Sequence, residues 1–146
     1  MKISAEYLID APRPAVFDAL GDPEVLARCI EGCESMKLVS ADTYEVKLRL
    51  GVAGLKGNYT GSVQLKDRKP PEDYVLLMHG KGGPGFVRGE AKLHLAERGT
   101  QTAISCDADV QAGGMIAAIG SRLIEAIAKK MMDDFFRKLN DALRKT

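Results

Sequence analysis

The sequence has 146 residues, of which 28% are charged, and its formal net charge is +1. This length suits one domain with a single sizeable core, so we expect one domain over residues 1–146. The charge balance argues against a nucleic-acid binder, which normally carries a basic excess. No apolar run reaches the roughly 18 residues that span a bilayer, and the N-terminus lacks the apolar core of a signal peptide. We therefore expect a soluble cytoplasmic protein whose membrane contact is peripheral at most.

The N-terminal quarter predicts one strand followed by two short helices. Apolar and polar residues alternate from Lys2 to Ile9, as in a half-buried strand. Asp10 precedes two prolines and can cap a first helix, which Gly21 ends. Asp22 can cap a second helix, which Gly32 ends.

About six strands are expected next. Alternating patterns occupy residues 44–52, 55–66, 74–81, 86–96 and 102–111. Turn signals separate them, among them Gly54 and the Lys-Pro-Pro-Glu-Asp stretch at 69–73. Strands joined by such short turns should be antiparallel, and alternation along them indicates that one face of the sheet is covered.

The last segment, 113–144, has the only long helical period in the chain. Apolar residues recur every fourth position from Leu123 to Leu143, with a parallel row beside them, and predict one helix roughly 45 Å long. Its first half is rich in Gly, Ala and Ser, whereas its second half carries Met and Phe. Two interpretations remain open: a cavity beside residues 113–124, or close packing of this small-residue half on the sheet.

This order predicts an α+β domain in which a curved antiparallel sheet of six to seven strands grips a C-terminal helix. Residues 80–85 match G-x-G-x-x-G, but a strand follows them, whereas a dinucleotide site needs a helix N-terminus there. A flexible hairpin end, or a mobile rim over a cavity, fits this glycine run better.

No catalytic constellation is visible, so we do not expect an enzyme. His79 and His94 lack a local carboxylate or thiol at dyad spacing, and Asp107 and Asp109 share the solvent face of a strand. The three cysteines predict free thiols, because C-x3-C without further ligands is a weak metal signal. No metal site is expected.

An apolar ligand pocket is the functional site that the sequence favours. Gly57 and Gly61 flank Tyr59 on the inner face of a strand, opposite the small-residue half of the helix, and such a pairing needs close approach or leaves a void. We expect residues 82–86 and 113–116 to form one mouth, with Phe86 and Met115 as its apolar lips. The candidate ligand-binding residues are Phe17, Leu48, Leu50, Tyr59, Met78, Phe86, Met115, Ile116, Ile119, Gly120, Leu123 and Ile127.

Several stretches together resemble one known family. They are Tyr7-Leu-Ile-Asp-Ala-Pro-Arg, Asp22-Pro-Glu-Val-Leu, Cys29-Ile-Glu-Gly-Cys-Glu, Gly80-Lys-Gly-Gly-Pro-Gly-Phe, Gly89-Glu-Ala, Gly113-Gly, Gly120-Ser-Arg-Leu-Ile, Ala128-Lys-Lys and Phe135-Phe. They cover nearly the whole chain in order and resemble the carbon monoxide dehydrogenase subunit (CoxG) family of the START-like, or SRPBCC, superfamily, which has a helix-grip fold. The chain departs from the family pattern at Glu31, where proline is expected.

The resemblance implies a non-catalytic accessory protein of a CO dehydrogenase-type molybdenum hydroxylase. It also implies a hydrophobic ligand, a quinone or lipid, held between sheet and helix without covalent attachment, and a role in membrane recruitment or electron-acceptor delivery. Some members carry a C-terminal extension that reaches the membrane, whereas this sequence ends at Thr146. Two alternatives stay open: a ligand-free docking or assembly factor for the hydroxylase, and a general carrier of lipids or hydrophobic small molecules.

Overall fold

A computed structural model describes residues 1–52 and 55–144, so the turn predicted at Gly54 lies outside the described residues. The elements in chain order are β1 (Lys2–Ile9), α1 (Arg13–Leu20), α2 (Pro23–Cys29), β2 (Cys33–Ser40), β3 (Thr43–Leu50), β4 (Gly57–Lys69), β5 (Asp73–Gly82), β6 (Gly85–Arg98), β7 (Gln101–Gly114), a 3₁₀ helix (Met115–Ile119) and α3 (Ser121–Arg144). The predicted α+β helix-grip architecture is confirmed.

The seven strands form one antiparallel sheet in the order β1-β7-β6-β5-β4-β3-β2. Short hairpins join β2 through β7, and β1 pairs with β7 along its whole length. One face alternates buried apolar residues, for example Ala91, Leu93 and Leu95 on β6. We call this the inner face, because the helices pack on it, and the opposite one the outer face.

The connection from β1 to β2 contains the two predicted short helices. Asp22 caps α2, since its carboxylate accepts a hydrogen bond from the backbone N–H of Glu24 at 2.9 Å. The prediction that Asp10 caps α1 is wrong. Pro12 occupies the cap position, and Asp10 instead pairs with Arg144 at 3.7 Å near the end of α3.

The Asp22 cap provides a first stability prediction. Asp22→Ala should lower the free energy of unfolding by about 1 kcal/mol, because the N–H of Glu24 loses its acceptor at the start of α2. Asp10→Ala is the control and should cost less than about 0.5 kcal/mol, because its ion pair is solvent-exposed. Urea unfolding of both variants measures the difference, and an equal loss would contradict the capping role.

The long C-terminal helix is shorter than predicted. It begins at Ser121, not at residue 113, so its 24 residues span about 36 Å. Gly114 and Gly120 adopt φ values of 70° and 94°, which a continuous right-handed helix cannot contain. Residues 113–114 therefore belong to β7, and the five residues between the two glycines form the 3₁₀ helix. Across residues 1–52 and 55–144, no helix is both long and apolar enough to traverse a bilayer.

The main core packs the second half of α3 against β1, the central strands and the two short helices. Leu139 is fully buried and Phe136 is 5% exposed. Tyr7 of β1 stacks on Phe136 with ring centroids 4.3 Å apart, and its hydroxyl donates to Asp133. Burial, followed by this hydrogen bond, raises the pKa of the Tyr7 phenol, so the phenol stays protonated and keeps donating. The packing predicted beside residues 127–139 is therefore present.

Candidate functional site

A second, smaller apolar cluster lies around the start of α3, separate from the main core. Its fully enclosed members are Leu55, Tyr59, Ile116 and Ile124. Partly buried residues surround them: Met1, Leu48, Leu50, Val87, Ala112, Ile119 and Ile127. Six of the predicted ligand-binding residues belong to this second cluster: Leu48, Leu50, Tyr59, Ile116, Ile119 and Ile127.

Tyr59 contributes an apolar ring to this cluster without offering a free polar group. It is 5% exposed, and its hydroxyl donates to the backbone carbonyl of Leu55 at 2.6 Å. Burial raises the pKa of the phenol, which therefore stays neutral. The second cluster thus presents a hydrocarbon surface to anything that lies against it.

Two paired glycines on the inner face differ in what surrounds them. Gly61 of β4 pairs with Gly80 of β5. A Cβ on Gly61 would overlap the carbonyl oxygen of His79 and lie 2.8 Å from the Cα of Gly80. A Cβ on Gly80 would meet no heavy atom of the described residues within 4 Å. Gly61 thus permits close approach of two strands, whereas Gly80 borders open space on the inner face.

Two further predicted site residues are exposed beside this space. Met78 lies on the inner face of β5, two residues before Gly80, yet it is 38% exposed. Leu123 lies one turn before Ile127 on α3 and is 49% exposed. The closest backbone approaches of α3 are to β1, α2 and the 3₁₀ helix, not to the central strands. The sheet and the first turns of α3 are therefore not packed closely at Met78, Gly80 and Leu123, which we call the open segment.

The remaining four predicted residues lie elsewhere. Phe17 belongs to the main core, where its ring meets Tyr74 edge-on at 5.7 Å, so it does not border the second cluster. Phe86 lies on the outer face, since the buried positions of β6 are odd-numbered, and Arg88 stands over its ring. Met115 is 74% exposed on the 3₁₀ helix, and Gly120 forms the exposed joint before α3.

The two glycine-rich bends predicted to form one mouth are in direct contact. Gly85 pairs with Gly114, and the N–H of Ile116 donates to the carbonyl of Pro84 at 3.0 Å. The ring of Phe86 covers Gly113, where a Cβ would overlap it. The shared location is as predicted, but Phe86 and Met115 do not face each other across an inner cavity, because Phe86 points outward.

Several residues of the second cluster were missed by the sequence reasoning. Val87 and Ala112 are inner-face neighbours paired across β6 and β7. Extending the odd-numbered alternation of β6 backward through Gly89 would have identified Val87. Ile124 stands in the predicted helical stripe. No sequence pattern indicates Met1, which joins through the hydrogen bond from the Val110 N–H to its carbonyl.

Titratable groups do not assemble into a catalytic site near the open segment. His94 contacts Asp73 at 2.6 Å, but both side chains are largely exposed at the opposite end of the sheet. A groove of about 440 Å³ lies on the outer face, lined by polar residues that include Ser62, His79 and Arg88. Its polar lining does not suit a hydrophobic ligand.

The cysteines are free thiols in the structure. Burial raises the pKa of Cys106 to about 11, so this thiol stays protonated at neutral pH. Burial also raises the pKa values of Cys29 and Cys33. In the part of the chain that the structure describes, no three His, Cys, Asp or Glu side chains gather in a way that could hold a metal ion.

Comparison with solved structures defines the class as START-like. A START superfamily protein from Mycobacterium smegmatis superposes with a TM-score of 0.77 at 10% identity, covering 99% of this chain and 97% of that one. A Thermus thermophilus protein gives a TM-score of 0.73 at 15% identity, covering 99% and 98%.

The family is narrower. The model of the carbon monoxide dehydrogenase subunit family CoxG matches residues 6–144, and the chain therefore belongs to the CoxG family. A conserved protein from Geobacillus kaustophilus is 34% identical over 99% of this chain and 96% of its own, with a TM-score of 0.96. None of the curated proteins searched matches the sequence.

Proposed function

We propose that this chain binds a hydrophobic ligand, a quinone or lipid, between the inner face of its sheet and the first turns of α3. The observation that carries this proposal is the open segment. Gly80 borders open space, and Met78 and Leu123 are exposed although both lie on apolar surfaces that would otherwise close. Exposed apolar side chains in a concave position are costly unless something covers them, and an apolar ligand would do so.

The chemistry of the surrounding side chains supports a ligand that enters with its hydrocarbon part. The inner-face positions next to Met78 and Gly80 on the neighbouring strands are Val46, Val63 and Val87. None of these side chains can hydrogen-bond, and the Tyr59 hydroxyl is already paired. A charged or strongly polar group would lose its hydration here without replacement. The polar end of the ligand should therefore remain at the mouth.

Membership of the CoxG family supports the partner. We infer that the chain is a non-catalytic accessory protein of a CO dehydrogenase-type molybdenum hydroxylase, delivering an electron acceptor or aiding membrane recruitment. A ligand held at the open segment, beside the bends at 82–86 and 113–116, could pass to a partner without leaving an apolar environment. Purification of the hydroxylase from the source cell, with and without this chain, tests the association.

The binding site is tested by filling it. Leu123→Trp should weaken quinone or lipid binding at least tenfold, because the larger ring occupies the open segment while its exposed position avoids damage to the core. Leu38→Trp is the matched control, since Leu38 is 65% exposed on the edge strand β2, and it should bind as the unchanged protein does. Titration with a ubiquinone or menaquinone analogue measures both variants, and equal binding by both would refute the site.

The alternative is a ligand-free docking factor for the hydroxylase, which the exposure of Met115 at 74% favours. Native mass spectrometry of protein purified from its own host separates the two functions. The carrier predicts an additional mass of a quinone or lipid, whereas the docking factor predicts the bare chain. Under the docking alternative, Leu123→Trp leaves hydroxylase capture intact and the unchanged protein binds no quinone analogue.

A further inference from the structure

Charge is strongly segregated toward the end of the molecule where the open segment lies. The chain segments at this end are 47–52, 55–60, 80–89 and 111–124, which we call the basic end. They contain no acidic residue and six basic ones: Lys47, Arg49, Lys56, Lys81, Arg88 and Arg122. Because the whole chain carries only +1, the remainder has an excess of five acidic residues. The molecule is therefore an electrostatic dipole whose positive pole surrounds the candidate site.

Strand pairing confirms that these segments meet. One continuous row crosses the sheet from Lys47 through Thr60, Lys81 and Phe86 to Gly113. Lys47 and Lys81 both point to the outer face, two strands apart, which corresponds to about 10 Å. Arg88 lies on the same face, one strand further along.

The basic residues of this end are available for an external partner. Among the described residues, none of the six has an ion-pair partner within 4.0 Å, although Arg49 and Arg88 donate hydrogen bonds to the uncharged Asn58 and Gln111. Many basic residues elsewhere do form ion pairs: Arg13, Arg68, Lys129, Lys130, Arg137, Lys138 and Arg144. The field of the basic end is therefore not cancelled by neighbouring side chains.

Exposed apolar side chains project from the same end. Met115 is 74% exposed, and its neighbour Ile116 is fully buried and holds the 3₁₀ helix against Pro84. Val52 is 39% exposed at the end of β3. A rigidly presented apolar tip surrounded by unpaired cations is the combination that binds the interface of an anionic bilayer, where apolar groups insert and cations face phosphates.

We propose that the basic end is a docking surface for anionic phospholipid, and that it orients the open segment toward the bilayer. This rests on the proposed function for its purpose, because a carrier of a quinone or lipid must meet the membrane mouth-first. Its physical basis is separate and consists of the unpaired charges and Met115. An acidic protein surface would attract the same charges, but it gives no comparable reason for an isolated, outward-pointing methionine at the tip.

Vesicle flotation of the full chain tests the proposal directly. The protein should float with vesicles of phosphatidylglycerol and phosphatidylcholine, and not with phosphatidylcholine alone. The double variant Lys47→Glu with Lys81→Glu should bind at least about 30-fold more weakly, since each basic residue near an anionic surface contributes about fivefold. Binding by the unchanged protein should also fall as salt concentration rises.

The sheet offers a matched control. Lys66 and Lys92 are also exposed, lie on the same outer face, and are separated by one intervening residue, Val75, in one row at the other half of the sheet. Lys66→Glu with Lys92→Glu makes the same change in net charge, yet it should leave vesicle binding within about threefold. Equal weakening by the two double variants would mean that only net charge matters and would overturn the docking surface.

Met115→Ser separates insertion from simple attraction. It should weaken vesicle binding several-fold without altering thermal unfolding, because the side chain is exposed and Ile116 keeps the 3₁₀ helix in place. If no anionic vesicle binds the unchanged protein, the proposal fails, and the basic end then fits an acidic protein surface instead. Titration of a quinone analogue without vesicles distinguishes the two ideas: charge-dependent flotation without such binding leaves the docking surface standing and refutes the carrier function.

Discussion

Gly61→Ala is expected to lower the free energy of unfolding by about 3 kcal/mol or more. The new Cβ would overlap the carbonyl oxygen of His79 and crowd the Cα of Gly80 at 2.8 Å. Both are backbone atoms in a paired strand, so no side-chain rotation can relieve the overlap, and β4 and β5 must separate locally. Urea unfolding followed by circular dichroism measures the loss, or the variant will fail to accumulate as a folded protein.

Gly80→Ala is the matched control, because Gly80 is the direct pairing partner of Gly61. Its Cβ would enter open space, so the variant should be at least as stable as the unchanged protein and gain up to about 1 kcal/mol from reduced chain entropy. The comparison tests whether the inner face is open at this point. A large destabilisation by Gly80→Ala would show that side chains already fill the space and would remove the main support for the ligand site.

The strands were predictable because one face of the sheet is buried. Period-two alternation placed β1 and β3 through β7 to within a few residues of their observed bounds. It could not delimit β2, since this edge strand is mostly exposed, with Leu38 and Val39 at 65% and 59%. An edge strand that buries little on either face has no alternation to detect.

The end of the predicted helix could not be fixed from its apolar period alone. Residues 115–119 contain apolar side chains at spacings that suit a helix as well as a 3₁₀ turn. Two glycines decided the outcome, since Gly114 and Gly120 take positive φ values and separate the 3₁₀ helix from β7 and α3. Glycine in a sequence permits such a conformation without requiring it, so the break was visible only in the structure.

The candidate site was only partly predictable for a similar reason. Apolar character located the second cluster, and six of its members were named in advance. Assigning Phe86 to the cavity rested on its size, whereas strand parity places the smaller Val87 on the inner face. Gly61 and Gly80 look alike in sequence, yet the local approach of two strands closes the space at one and leaves it open at the other. Only three-dimensional packing distinguishes them.

Leu139→Ala should lower the free energy of unfolding by about 3 kcal/mol, within the range of roughly 2–5 kcal/mol for buried leucines. Leu139 is fully buried in the main core, where the second half of α3 holds the helix on β1. Its removal leaves a cavity that the surrounding side chains cannot refill. For a domain of this length, the midpoint of thermal unfolding should fall by roughly 10 °C.

Leu123→Ala is the control for the opposite half of the same helix. Leu123 is 49% exposed at the open segment, so its truncation should cost less than about 1 kcal/mol. The ratio of the two losses measures how unevenly α3 is anchored. A helix fixed only at its C-terminal half can leave its first turns unfilled for a ligand without losing the fold. Comparable losses at Leu123 and Leu139 would instead show that α3 is packed along its whole length, and the proposed ligand would have no space beside it.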